Sequence, residues 1–352
     1  MKVYIRATGN ISPQKTFGHP PLLQQMVVQE GNRMRCTEPD YSAFIDVKMI
    51  RRMSRIIKMG VASAMECLQE AGVTNPEAIV TGTAYGCLED TGIFLKKMVL
   101  QNEEMLTPTA FIQSTHNTIG AQIALLLQCH GYNNTFVHRG FSFESALLDA
   151  MMLLEESNAA NVLVGAVDEI TDISHAILSR FGLYKKDNII NADLFKISSR
   201  GSIAGEGAAF FLLNHQPAES NYAVLDGLYT FYKPAGINEI EEEIASFLSS
   251  QSCTGNDIDL IIIGKNGDQT GDAVYQQLAE TVFKSIPAIP YKHLCGEYPT
   301  STAFATWLAA SVVRSGSLPA VLNILVPKQI KRVLIYNHYQ NIHHSLLLVS
   351  AC

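Results

Sequence analysis

The residues of greatest chemical interest lie where a predicted strand turns into a helix, in the segment VHRGFSFESALLDAMMLLEES at residues 137–157. A turn of this kind often carries a nucleophile, because the N–H groups at a helix start can stabilise an anion. Here the turn offers Gly140 and Phe141 and no cysteine. The segment therefore has the predicted shape of a reactive site but lacks the expected reactive side chain.

Ser142 is the nearest hydroxyl to this turn and allows two interpretations. It can act as the N-cap of the following helix, a position that serine prefers and that we favour. It can also be read as a nucleophile, with His138 or His116 close by. Both interpretations stay open at the level of the sequence.

Other candidate ligands and thiols are weaker. His338, His343 and His344 fall in one predicted hairpin, where adjacent strand residues point to opposite faces, so we expect no shared metal site. Cys87 follows a strand, but no histidine follows it at a recognisable spacing, which favours a buried thiol. The seven cysteines include no CxxC pair, which is typical of reduced intracellular thiols. The sequence predicts no metal and no cofactor.

Composition narrows the function classes. The chain has 352 residues, 47% of them hydrophobic and 17% charged, with a formal net charge of −7. The negative balance and the lack of a basic run argue against a nucleic-acid partner. No apolar run approaches the roughly 20 residues that a membrane span needs. The N-terminus MKVYIRATGNIS alternates like a strand and has no signal-peptide pattern, so we expect a cytoplasmic protein.

Strands and helices alternate along most of the chain, which predicts a layered α/β architecture. The second half repeats the element order of the first, which predicts an internal duplication. We place the two halves at residues 1–215 and 216–352, joined through the linker-like NHQPAESNY at 214–222 and packed into one body.

A helix that is apolar on nearly every face, HNTIGAQIALLLQCHG, begins after His116, with Asn117 as a plausible cap. Such a helix belongs in an interior or at an interface. Together with the strand at 135–138 it predicts a dimer interface that includes Ile123 and Leu127.

Several short motifs resemble segments of β-ketoacyl synthases. They are PTAFIQSTHNTIGAQIALLL, GSIAGEGAAFFLL, GSLPAVLN and SLLLVS, and the match extends over roughly residues 1 to 350. The resemblance implies the thiolase-like fold, an α/β fold with two duplicated halves in a five-layer αβαβα arrangement, usually as a dimer.

The resemblance also implies where catalytic groups should lie. A working synthase carries a cysteine and two histidines where this chain has Gly140, Asn266 and Glu297. The surrounding pocket positions implied by the family are Gly267, Asp272, Lys292, Gly296, Phe141 and Tyr339. Since glycine cannot carry an acyl group, we expect no catalytic residue at these three positions.

The resulting hypothesis is a non-catalytic subunit similar to chain-length factors. It would pair with an active ketosynthase and an acyl carrier protein, as a homo- or heterodimer, in fatty acid, polyketide or polyene-type biosynthesis. Two alternatives remain. One is an acyl-transferring or thioester-hydrolysing relative that uses Ser142 or a nearby histidine, and the other is a stand-alone acyl-binding scaffold.

Overall fold

The computed structural model describes residues 2–156, 159–322, 324 and 329–352. Ser157, at the end of the segment analysed first, and Asn323, at the end of GSLPAVLN, lie outside the described residues. The strands are β1 (Val3–Ile11), β2 (Glu30–Gly31), β3 (Ala78–Gly82), β4 (Tyr132–Phe136), β5 (Asn161–Asp168), β6 (Ile189–Ile190), β7 (Gly207–Asn214), β8 (Ala223–Tyr232), β9 (Leu260–Ile263), β10 (Ala288–Pro290), β11 (Arg332–Tyr339) and β12 (His343–Ser350). The helices are α1 (Val47–Ile50), α2 (Arg55–Ala71), α3 (Leu88–Leu100), α4 (Pro108–Gln113), α5 (Thr118–Leu127), α6 (Ser142–Glu155), α7 (Asp172–Arg180), α8 (Ile237–Ser250), α9 (Ala273–Glu280), α10 (Lys292–Cys295) and α11 (Thr302–Ser315).

The main sheet repeats one topology. Its strand order is β10-β9-β11-β12-β8-β1-β7-β5-β3-β4, and β2 pairs separately with β6. Counted along the chain, each half places its strands in the spatial order third, second, fourth, fifth, first. In each half the second strand runs parallel to the third and fourth, and the fifth is antiparallel to its neighbours. The equal order and equal directions are what a duplicated unit produces.

The two halves meet where β1 runs antiparallel to β8, pairing Val3 with Leu225 and Ile5 with Ala223. The segment at 214–222 connects β7 to β8 at this junction. The division into units at residues 215 and 216 stays a prediction.

Apolar side chains on both faces of the strands build the layers. In β11, Val333 and Ile335 enter a core that they share with α6 and α11, whereas Leu334 and Tyr336 face a second core with α8 and α9. A third core packs α2 and α5 against the sheet of the first half. Because the shared core lies between the two halves, the order of layers is helix, sheet, helix, sheet, helix. The predicted thiolase-like fold class is confirmed.

Most residues of the central helices α6 and α11 are buried. Helix α11 is apolar nearly all round, as an interior helix requires, whereas α6 also carries Glu144 and Asp149. Each starts beside a candidate site residue: α6 follows Gly140, and α11 follows the segment that contains Glu297. Within the described residues, no helix is long and apolar enough to cross a membrane.

Candidate functional site

A carboxylate shapes the loop that presents Asn266. Asp272, at the start of α9, accepts hydrogen bonds from the backbone N–H groups of Asn266 and Gly267, at 2.8 and 2.9 Å. Gly267 has φ +82°, a left-handed conformation that glycine adopts without the steric cost of a Cβ. These two hydrogen bonds therefore fix the backbone that carries Asn266, in the loop that follows β9.

Asn266 and Glu297 are in direct contact. The Asn266 amide Nδ2 donates to Glu297 Oε2 at 2.5 Å. The Lys292 ammonium donates to Oε1 and Oε2 of the same carboxylate, at 2.8 and 2.7 Å. The exposed fractions of the Lys292 and Glu297 side chains are 1% and 9%. This carboxylate therefore lies in a buried ion pair, and both of its oxygens accept hydrogen bonds.

The backbone around Glu297 is fixed by a close approach between two chain segments. The Glu297 N–H donates to the Ile203 carbonyl, and the Glu297 carbonyl accepts from Gly205 N–H. A Cβ on Gly296 would lie 2.5 Å from the Gly205 Cα atom. The glycines in GSIAGEG and CGEY thus allow the two segments to touch, which holds Glu297 over Lys292.

Glu144 is a further charged group that the sequence analysis missed. It lies on α6, is 1% exposed, and neither of its carboxylate oxygens has a hydrogen-bond partner within the described part of the chain. Burial raises the pKa of Glu144 to about 7, whereas the nearby hydroxyls of Thr302 and Ser345 and the Lys292 ammonium act in the opposite direction. The available signal was the helical spacing, since Glu144 stands three residues before Leu147 and seven before Met151, on the apolar stripe of α6.

Gly140 has no room for a side chain. It lies in a 3-10 turn over residues 139–141 that leads into α6. A Cβ at this position would meet the Cβ atoms of Tyr339 and His343 at 2.7 and 3.0 Å. Phe141 is buried next to it, with its ring 4.7 Å from the His343 ring. The turn is therefore packed against the β11–β12 hairpin.

Ser142 is the first residue of α6, and Phe141 occupies the N-cap position. The Ser142 hydroxyl accepts from His138 N–H at 2.8 Å and donates to the Arg139 carbonyl at 2.9 Å. It thus ties the turn together instead of capping the helix through its side chain. A nucleophile needs a base to take its proton, but here that proton is directed to a backbone carbonyl.

Tyr339 lies between two cavities. The first, which we call the Asn266 cavity, has a volume of about 360 Å³ and is lined by Phe181, Gly182, Leu183, Tyr184, Arg200, Gly201, Asn266, Asp268, Thr270, Gly271, Glu297, His338, Tyr339, Gln340 and Asn341. The second, the Arg139 cavity, has a volume of about 560 Å³ and is lined by Tyr85, His138, Arg139, Phe141, Tyr232, Lys233, Tyr339, Gln340, Ile342 and His343. Burial raises the pKa of Tyr339, and the neighbouring Tyr85, Tyr184 and Glu297 add to the increase.

The structure brings Asn266 and Glu297 together, and it places Gly140 against Tyr339. The retained positions Gly267, Asp272, Lys292 and Gly296 all support the Asn266–Glu297 side. That the three replaced positions act as one pocket stays a prediction; Tyr339 and Gln340 line both cavities.

An apolar groove lies next to these cavities and was also missed. It has a volume of about 280 Å³ and runs between α3 and α7, with Leu88, Leu95, Ile173, Ile177 and Leu178 among its lining. Tyr85, which also lines the Arg139 cavity, and Tyr184, which also lines the Asn266 cavity, form part of its wall. The groove is suited to an extended apolar ligand.

Of the four predicted interface residues, two lie on the surface and two pack in or against the core. His116 and Asn117 are exposed, and the Asn117 side chain accepts from Thr115 instead of capping α5. Ile123 is fully buried in the core with α2, and Leu127 packs partly against that core. An interface through α5 must therefore use its other face, where Leu125 is 64% exposed.

Strand β4 is the other element of the predicted interface, and it lies at the edge of the main sheet. Tyr132 in β4 and Val137 just after it are exposed. An edge strand has unpaired backbone groups that can extend a sheet into a partner. The dimer itself stays a prediction.

The remaining histidines and thiols have local roles. His338 Nε2 lies 3.0 Å from the Gly271 carbonyl, and His344 Nδ1 lies 3.0 Å from the Tyr336 hydroxyl. Cys87 is buried, and burial raises its thiol pKa. Among the described residues, no group of three or more His, Cys, Asp or Glu side chains could hold a metal ion.

Comparison with known proteins identifies the relatives of this fold. Residues 27–180 match the family model of the β-ketoacyl synthase N-terminal domain. No curated protein matches the chain significantly. The ishigamide ketosynthase/chain length factor structure is 17% identical, with 100% of this chain and 99% of that chain covered and a TM-score of 0.78.

Two further solved structures share the fold. A β-ketoacyl synthase from Burkholderia phymatum STM815 is 14% identical, with coverage of 100% and 99% and a TM-score of 0.82. A type II polyketide synthase acyl-carrier protein in complex with its ketosynthase bound to the hexaketide gives 16% identity, coverage of 100% and 99%, and a TM-score of 0.74.

Proposed function

We propose that this β-ketoacyl synthase-like chain, similar to chain-length factors, is a non-catalytic subunit that pairs with an active ketosynthase. The observation that carries the proposal is the buried network of Asn266, Lys292 and Glu297. It occupies the positions where the family resemblance implies two imidazoles, and the Glu297 carboxylate, which only accepts hydrogen bonds, offers no donor to a substrate oxygen.

The chemistry of condensation explains why this network matters. Decarboxylative condensation needs a thiolate to carry the acyl chain and donors to stabilise a developing oxyanion. Gly140 provides no sulfur atom, and the ion-paired carboxylate of Glu297 repels an oxyanion. The nearest hydroxyl, Ser142, donates to a backbone carbonyl. These features support a role in binding and assembly over a role in acyl transfer.

The surfaces that remain are suited to a partner and an acyl chain. The edge strand β4 and the exposed side chains Leu125, Tyr132 and Val137 form one candidate interface. The apolar groove between α3 and α7 provides a surface for an acyl chain that the active subunit holds as a thioester. In this role the chain limits the space available to a growing product, and the acyl carrier protein delivers to the active subunit.

Co-expression with an intact Cys-His-His ketosynthase, followed by purification on a tag carried by one chain, tests the proposal. We expect the untagged chain to co-purify, and we expect Leu125→Asp to abolish co-purification because a charge on an apolar contact face is costly. Val282→Asp is the matched control, since Val282 is also an exposed aliphatic residue, 37% accessible and on the other half of the chain.

Two results would contradict the proposal. One is a stable homodimer of the isolated chain that does not exchange with any ketosynthase, which favours the stand-alone scaffold. The other is covalent acylation of the isolated chain that disappears in Ser142→Ala, which favours the acyl-transferring alternative.

A further inference from the structure

The Arg139 cavity collects two cations, Arg139 and Lys233, and two histidines from separate elements. Arg139 lies in the turn before α6, Lys233 follows β8, and His343 begins β12. His138 lies beside Arg139 on the same rim. Among the described residues that line this cavity there is no aspartate or glutamate. The cations that surround it therefore have no lining carboxylate as a partner.

A second cavity of equal volume is lined by both cationic and anionic side chains. It also measures about 560 Å³ and contains Lys331 and Arg332, but Asp257 and Asp259 line it as well. The two cavities therefore differ in charge: both are lined by cationic side chains, but carboxylates line only the second one. An unbalanced positive cavity attracts anions from solution.

Aromatic rings form one wall of the Arg139 cavity. The Phe141 and His343 ring centroids are 4.7 Å apart, and the Tyr232 ring lies 5.3 Å from the His343 ring. Lys233 Nζ lies 5.3 Å from the centre of the Tyr232 ring. Rings beside cations provide a surface for an organic group next to a site for its charged end.

The backbone at this cavity is held in an uncommon conformation by three separate segments. Arg139, Lys233 and Gln340 have φ values of 48°, 51° and 58°, all left-handed. For a residue with a Cβ this conformation is sterically unfavourable. Such residues cluster at ligand-binding positions, where the surrounding structure maintains them.

From these observations we propose that the Arg139 cavity binds an organic phosphate ester, with the phosphate between Arg139 and Lys233 and the organic group against Phe141, Tyr232 and His343. A guanidinium matches the oxygens of a phosphate in a bidentate manner, and a lysine adds a mobile point charge. The positive surroundings also act on His343, whose pKa is lowered by burial and further by His138 and Arg139. This site does not depend on the pairing with a ketosynthase.

The test is a titration of the full chain with phenyl phosphate, inorganic phosphate and phenol, followed by NMR of the histidine side chains. The His138 and His343 signals are assigned with His138→Gln and His343→Gln. Arg139→Asn and Lys233→Asn remove one cation each, and asparagine tolerates the left-handed backbone at both positions. Lys331→Asn, in the cavity with balanced charges, is the matched control.

Saturable shifts of both histidine signals with phenyl phosphate are the expected result. We expect Kd to rise about tenfold or more in Arg139→Asn and in Lys233→Asn, the usual effect of losing a charge-assisted hydrogen bond, and to stay unchanged in Lys331→Asn. Binding should weaken as sodium chloride is added.

Three results would overturn the assignment. Histidine shifts that persist with unchanged Kd in Arg139→Asn and in Lys233→Asn would show that these two cations do not bind the phosphate. Equal affinity for inorganic phosphate and phenyl phosphate would exclude the aromatic wall, and a response to phenol equal to that of phenyl phosphate would exclude the anion. Thermal unfolding of each variant distinguishes a lost contact from a lost fold.

Discussion

The two cavities on either side of Tyr339 differ in how their charges are balanced. On the Asn266 side, Lys292 and Glu297 are buried and hydrogen bonded to each other. On the Arg139 side, Arg139 and Lys233 are exposed and face aromatic rings without a lining acid. Side chains that hydrogen bond to one another have few donors or acceptors left for a ligand. Cations without a lining carboxylate can still bind an anion.

Under the phosphate-ester proposal, the ligand site lies apart from the positions where the family resemblance implies catalytic groups. At the positions where the family resemblance implies catalytic groups, Glu297 is buried and ion-paired with Lys292, and Asn266 donates to it. The accessible charges lie across Tyr339, next to the turn at Gly140 where no side chain fits.

Breaking the ion pair should have the largest effect. Replacing Lys292 by methionine leaves the Glu297 carboxylate buried without its cation, and loss of one partner of a buried pair costs about 3–5 kcal/mol. Urea denaturation at neutral pH measures the change in the free energy of unfolding. Lys196→Met is the control, because the Lys196–Asp193 pair is exposed and worth at most about 1 kcal/mol.

The double variant Lys292→Met/Glu297→Met should recover part of the lost stability, because it removes the uncompensated charge as well. If the single variant unfolds like the wild type, the pair is not the closed interior network that the comparison assumes.

Glu144 should make stability depend on pH. Its pKa in the folded chain is about 7, above the ordinary value of 4.5, so the folded state binds a proton more tightly than the unfolded state. The contribution of Glu144 to the free energy of unfolding is therefore complete below about pH 4.5. It is lost as the pH rises from there through 7, a decrease of about 3 kcal/mol.

In Glu144→Gln this fall should be smaller, so the variant gains on the wild type at pH 8 and differs little at pH 4.5. Denaturation curves at several pH values give the comparison. An identical pH dependence in the two proteins would show that the Glu144 carboxyl does not titrate in this range.

Restoring a cysteine at the turn should not restore chemistry. In Gly140→Cys the new Cβ meets Tyr339 and His343 at 2.7 and 3.0 Å, and overpacking of this kind costs about 1–3 kcal/mol. We expect a lower melting temperature and no acyl adduct in intact-mass spectrometry after incubation with an acyl thioester. An adduct on the introduced thiol would mean that the neighbouring groups can still activate it. Gly165→Cys serves as a packing control, since its Cβ would also meet close neighbours, at Phe210.

The smallest effect belongs to the exposed cations. Arg139→Asn and Lys233→Asn should change the free energy of unfolding by no more than about 0.5 kcal/mol, because both side chains are exposed and asparagine accepts the left-handed backbone. Thermal denaturation checks this value. A large loss would mean that these cations stabilise the fold, which would remove the contrast with Lys292.

Much of the fold could be predicted from the sequence. The alternation of apolar strands with apolar-faced helices predicted layered α/β architecture, and the repeat of that order predicted the duplication visible in the strand topology. The residue types at 140, 266 and 297 depend on the sequence alone, and so does the absence of a cysteine at the turn. These properties follow from local patterns, which a chain expresses before its distant parts meet.

Other features were decided only by tertiary structure. Helix α5 is apolar on nearly every face, so its pattern could not tell that Ile123 faces the core while Leu125 faces outward. Glu144 and Lys292 lie on different halves of the chain and come close only because α6 and α10 both reach the shared core. Tyr339 separates two cavities because the β11–β12 hairpin packs on the turn at Gly140. Each of these contacts joins residues far apart in sequence, and their geometry is set by the packing of whole elements, which no local pattern encodes.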